Sequence, residues 1–208
     1  MRGGRGEGHA HKLVLAAQAK PQESNSVTTH NIYLIGFSGT GKSTIARLLG
    51  AQLSLPTYDL DSIIVERSGM SIPAIFEREG EPGFRDRETA ALELVAGLDA
   101  CVVATGGGAP LRDENRRLMT GSGWVIALEG RPETLHARMQ RQRQQADPAA
   151  LRPLLDAADP LEKLRALKQS RQAVYALADW TVHTDRLSAE QVAAEIVRAV
   201  ALLEQARA

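Results

Sequence analysis

The stretch Asn31-Ile-Tyr-Leu-Ile-Gly-Phe-Ser-Gly-Thr-Gly-Lys-Ser-Thr44 decides how the rest of the chain is read. Its first six residues form a short apolar run of strand type. The run passes directly into Gly36-x-x-x-x-Gly41-Lys42-Ser43, a full match to G-x-x-x-x-G-K-[ST]. A helical period follows over 42–53, with Ile45, Leu48, Leu49 and Leu53 on one face. The motif therefore lies between a predicted strand and a predicted helix, the context in which it cradles phosphates. Glycines let successive backbone N–H groups turn inward on phosphate oxygens, and the helix adds its positive end. Lys42 supplies a mobile charge for the β- and γ-phosphates, and the Ser43 hydroxyl is a hard oxygen ligand for Mg2+. The expected nucleotide-contacting set is Gly39, Gly41, Lys42, Ser43, Thr44, Ile45 and Ala46, and the expected nucleotide is ATP, with GTP second.

Working outward, further short apolar runs occur at LPTYD (55–59), ACVVAT (100–105), WVIALE (124–129) and DWTVHT (179–184). Helical patterns lie between them, including 85–96. A final helix begins at the Ser188/Gln191 capping-box signature and runs toward Ala208. Strands alternating with helices predict one doubly wound α/β domain over 31–208, with a five-stranded parallel sheet in a three-layer αβα arrangement. Residues 1–30, with four glycines in MRGGRGEG and no sustained apolar period, read as a flexible tail without a secretory signal. The segment at about 140–160, rich in Arg and Gln and broken by prolines, reads as a mobile lid.

Composition sets the bounds. The 208 residues carry 25 Lys+Arg against 25 Asp+Glu, so an anion must be held by a local site rather than by a global field. That balance predicts no nucleic-acid partner, and the absence of a long apolar run predicts no membrane span. The single cysteine, Cys101, lies in an apolar run and reads as a buried thiol, which suits a cytoplasmic protein. Monomer is the default expectation.

A second magnesium-binding group is expected near the motif, yet the run CVVAT ends in Thr105 and three glycines, with no carboxylate. The acids occur instead in Tyr58-Asp59-Leu60-Asp61. Spacing i, i+2 at a strand end would aim both the same way, one toward metal waters and one toward an acceptor. The alternative is that Asp61 caps a helix over 62–67. Arg85 and Glu88 in Phe84-Arg-Asp-Arg-Glu88 share a helical face, where Glu88 can orient a guanidinium fork. Gly106, Gly107 and Gly108 suit close backbone approach to a ligand or a tight turn.

Together GFSGTGKST, YDLD, IFEREGEPGFRDRE, ATGGG, LRPLL and the segment from Arg171 to Tyr175 resemble shikimate kinase over nearly all of 31–206. The resemblance implies phosphoryl transfer from ATP·Mg2+ to the 3-hydroxyl of shikimate, toward aromatic amino acids. It implies that Asp61 contacts the acceptor hydroxyl and that Arg85 and Arg171 hold the carboxylate. Gly106, Gly107 and Gly108 would touch acceptor and γ-phosphate. Arg152 would close over the phosphates from the lid, and Asp59 would support Mg2+ through water. Arg138 and Arg186 match positions near the adenine. The chain departs from the family at Arg171-Gln-Ala-Val-Tyr175, which lacks the usual proline and leucine, at a longer lid, and around Ala189, where a proline is usual. Two other readings stand beside this one: a small P-loop kinase acting on gluconate or a nucleoside monophosphate, and a kinase-like domain that senses a small carboxylate without turnover.

Overall fold

The structure, a computed structural model, describes residues 28–145 and 159–207. Five strands occupy the stretches expected of them: β1 (Asn31–Gly36), β2 (Thr57–Asp59), β3 (Val102–Ala104), β4 (Gly123–Glu129) and β5 (Trp180–His183). All pair in parallel in the order β2-β3-β1-β4-β5, with Ile32 opposite both Val102 and Trp124. The central strands are buried along their whole length and mostly apolar, because both faces of the sheet are covered. Ile32, Leu34, Val102, Ile126 and Val182 face one layer, made by α1 (Lys42–Leu53) and, at the chain's end, α7 (Ala189–Arg207). Tyr33, Ile35, Val103, Val125 and Ala127 face the other. That second layer comprises α2 (Leu60–Ser68), α3 (Ile72–Ala96), α4 (Asp113–Ser122), α5 (Pro132–Gln145) and α6 (Pro160–Tyr175).

This topology fixes where a ligand can sit. The segments leaving β1 and β3 depart to opposite faces, one into α1 and the other into α4, so a crevice opens between them at the carboxyl ends of the strands. The P-loop, Asp59, Gly106 to Gly108 and Glu129 all lie at that end.

Three local readings change. The helical pattern at 85–96 is the second half of a longer α3, which bends at Gly80 (φ 68°, ψ −174°) just before Pro82. Residues 140–145, read as the start of the lid, continue α5; no proline interrupts the chain until Pro148. Of the rest of the expected lid, 146–158 lies outside the described residues, as does 1–27 of the expected tail, and Asp159 and Pro160 begin α6. The end of that tail stretch is tied to the domain through Thr28 and His30, while Thr29 between them is exposed. Thr28 is buried, and Glu204 of α7 accepts hydrogen bonds from Thr28 and from the Trp124 indole, with His30 Nδ1 at 3.0 Å. A polar clamp of this kind has no periodicity to read in sequence.

Cys101 is buried beside Asn31, and desolvation pushes its thiol up to about 12, so it is inert. No helix among the described residues is long and apolar enough to cross a membrane.

Candidate active site

β1 ends at Gly36, and the chain turns through Phe37 to Thr40 before α1 begins. Gly41 occupies the N-cap position of α1 in a left-handed conformation (φ 93°), which an L side chain adopts only at a cost. Among the described residues no side chain caps α1, so its leading N–H groups point into the loop. Thr40 is buried and donates to Phe37 O at 2.9 Å, which stiffens the turn. The Lys42 ammonium curls back over the loop, donating to Gly36 O at 2.9 Å and Phe37 O at 3.0 Å. Ser43 and Thr44 face outward. Ile45 and Ala46 do not: their side chains are in the core, and the Ile45 N–H already donates to Gly41 O. The helical period turns those two residues away from the loop that Lys42 and Ser43 line.

The two acids divide the work differently from their sequence reading. The helix begins at Leu60, one residue after the strand ends, so the strand argument for a common direction lapses. Asp59, not Asp61, is the N-cap of α2: its Oδ1 accepts from the N–H groups of Asp61 (3.0 Å) and Ser62 (3.4 Å). Its Oδ2 accepts from Ser43 Oγ at 2.6 Å. Asp59 thereby joins the P-loop helix to α2. Asp61, released from capping, occupies the first turn of α2 next to Gly106; a Cβ built on that glycine would lie 3.5 Å from Asp61 Oδ1.

Arg85 and Glu88 meet as their spacing predicts. Arg85 Nη1 donates to Glu88 Oε2 at 2.8 Å, and the Glu88 side chain is fully buried. A second carboxylate, Glu81, accepts from Arg85 Nη2 at 3.1 Å. Its i, i+4 spacing to Arg85 is the signal that could have found it. Burial pushes the Glu88 carboxyl up, and the adjacent Arg85 guanidinium pulls it part of the way back.

The triple glycine is the seat of this pair. A side chain at Gly106 would collide with Glu88 Oε1, and one at Gly108 with the Arg85 guanidinium. Two of the three glycines therefore admit these side chains. Gly107 turns the other way, toward the P-loop, where an added Cβ would lie 3.4 Å from Gly36 O. Its carbonyl accepts from Arg171 Nη1 at 3.3 Å and from the Tyr175 hydroxyl at 2.7 Å. Arg171 also lies over the Phe37 ring, 5.5 Å from its centre. The helix α6 runs unbroken through Tyr175, and Arg171 on it faces the glycine turn. Asp61, Arg85 and Arg171 thus surround one turn of chain beside the P-loop.

Gly108→Ala is expected to displace the guanidinium and raise the acceptor KM ~10-fold or more with the ATP KM little changed. Gly121→Ala, where an added Cβ meets nothing, is the control. Steady-state kinetics on both variants provides the check.

At the far end, Arg138 donates to Thr184 Oγ1 at 2.9 Å and to Thr184 O at 2.6 Å, which ties α5 to the exit of β5. Arg186 is exposed and borders a cavity of about 470 Å3 with Glu129, Lys168 and His183. Lys168 Nζ is 2.6 Å from Glu129 Oε2, a pairing that sequence reasoning missed because 39 residues separate the two. Arg152 lies outside the described residues.

A P-loop at a topological switch point, facing a carboxylate and two guanidinium groups, defines a phosphotransferase of the small-molecule kinase class. The chain matches the family model described as shikimate kinase over residues 38–201. It is 46% identical over 159 residues to the shikimate kinase of Thiobacillus denitrificans, across 76% of this chain and 83% of that one. The shikimate kinase of Acinetobacter baumannii, solved in complex with shikimate, superposes with a TM-score of 0.76 at 37% identity, covering 86% of this chain and 95% of that one. A gluconokinase from Sinorhizobium meliloti shares the fold at a TM-score of 0.60, covering 86% and 95% of the two chains, but is only 17% identical. The chain belongs to the shikimate kinase family.

Proposed function

We propose that this chain transfers the γ-phosphoryl group of ATP to the 3-hydroxyl of shikimate, giving ADP and shikimate 3-phosphate. The observation that carries the reading is the convergence of Asp61, Arg85 and Arg171 on the Gly106–Gly108 turn, with Gly107 against the P-loop. The P-loop N–H groups and Lys42 hold the β- and γ-phosphates, with Ser43 and Thr44 at the start of the helix. The Arg85 fork, backed by Glu88 and Glu81, grips the acceptor carboxylate together with Arg171. That grip brings the 3-hydroxyl to Asp61, which orients it and takes its proton as the oxygen–phosphorus bond forms and the bond to ADP breaks. In a loose transition state alignment and charge neutralisation dominate, so Asp61 need not be a strong base.

The oxygens of Ser43 and Asp59, in contact at the mouth of the P-loop, are the hard donors that suit Mg2+, Ser43 directly and Asp59 through water. Held by these two residues, a magnesium ion would supply charge neutralisation at the phosphate oxygens. In this reading Arg138 and Arg186 flank the adenine, and Arg152 covers the phosphates on closure. In this reading the chain works as a monomer. The buried Cys101 suits a reducing cytoplasm.

The test is an acceptor panel. With ATP and magnesium, purified protein should release ADP when shikimate is added and not with gluconate or nucleoside monophosphates. Release driven by gluconate or a nucleotide acceptor would overturn the assignment.

A further inference from the structure

Arg112 stands where the glycine turn ends and α4 begins, at the N-cap position, yet its side chain caps nothing in α4. It crosses to α3 instead. Its Nη2 lies 2.7 Å from Asp86 Oδ1 and donates to Pro82 O at 3.5 Å, and its Nη1 donates to Thr89 Oγ1 at 3.3 Å. Pro82, Asp86 and Thr89 are spaced i, i+4 and i+7, a single stripe of the helix, and Arg85 falls within that span. Thr89 Oγ1 passes the contact on by donating to Arg85 O at 3.1 Å. The Arg112 side chain is 32% exposed and that of Asp86 72%, so the ion pair by itself would count for little. Three contacts along the stripe, made from the segment whose glycines also seat Arg85 and Glu88, are a different matter.

We infer that Arg112 is a positioning residue for the acceptor: it straps the turn of Gly106–Leu111 to α3 and so sets the Arg85 guanidinium relative to Asp61. The inference rests on the reading of shikimate as acceptor, since it concerns two grips on one molecule, at its carboxylate and at its hydroxyl. A looser strap lets those grips drift apart, so binding the acceptor must first restore their spacing and affinity falls even though no contact to it is lost. Arg112 touches α3 at Pro82, Asp86 and Thr89, its charge helps hold down the buried Glu88 carboxyl, and it acts on the acceptor through the Arg85–Glu88 pair.

Arg112→Ala should raise the shikimate KM roughly 5- to 20-fold, with kcat and the ATP KM within about 3-fold of wild type. Arg112→Lys, which can reach one partner but not all three, should recover part of that loss. In an Arg85→Ala background the Arg112→Ala change should add less than about 2-fold, because the group it positions is gone. A shikimate KM unchanged in Arg112→Ala, an equal rise in the ATP KM, or a full effect in the Arg85→Ala background would each overturn the inference. Wild-type protein that turns over shikimate while Arg112→Ala behaves identically removes the strap alone. Wild-type protein with no shikimate-dependent ADP release removes the acceptor reading itself.

Discussion

Asp61→Asn should lower kcat by ~10²-fold or more while ATP binding stays at the wild-type level. The substitution is nearly isosteric, and the structure removes the usual confounding effect. The cap of α2 is made by Asp59 on the backbone N–H of residue 61, which asparagine keeps. Helix, P-loop contact and fold should therefore survive, so the substitution is read chiefly as loss of the carboxylate charge, which also acts on the neighbouring Glu88. Asparagine can still orient the acceptor hydroxyl but cannot take its proton, so the size of the drop separates the two contributions. Single-turnover kinetics with a parallel ATP titration gives both quantities. An unchanged kcat would take Asp61 out of the mechanism.

Arg85→Ala should act on the other substrate term. Loss of a fork to a carboxylate is worth ~2–4 kcal/mol, so the shikimate KM should rise by roughly 30- to 10³-fold with the ATP KM little changed. The Arg85 side chain is 15% exposed and is the partner of a carboxylate buried completely, so the variant also strands Glu88. Its carboxyl, already raised by burial, should then rise further. Arg85→Ala/Glu88→Gln, which removes that stranded charge, should regain fold stability without regaining affinity for shikimate. Thermal unfolding and steady-state kinetics on the two variants distinguish a lost ligand contact from a damaged core. A defect confined to ATP would mean that Arg85 serves the nucleotide.

Most of the strand positions were legible because central parallel strands are buried on both faces and read as plain apolar runs. The P-loop was legible for a different reason: one contiguous segment supplies the turn, the helix start, Lys42 and Ser43. The Arg85–Glu88 pair was legible from helical spacing alone. The bend at Gly80 was not, since a helical period on one side says nothing about how the chain enters it. Nor was the tie from Thr28 and His30 to Glu204, which joins the two ends of the described chain.

By itself the sequence determined the order of β and α segments, the phosphate-binding loop and the chemical identity of the groups around it, all properties written in adjacent or periodically spaced residues. Tertiary structure decided which acid caps α2 and which lies beside Gly106, that Ile45 and Ala46 belong to the core, and that Gly106 and Gly108 make room for Glu88 and Arg85. Arg171 reaches Gly107 across 64 residues. The physical reason is common to all of these: each depends on the approach of segments far apart in the chain, and steric fit between them has no counterpart in local spacing.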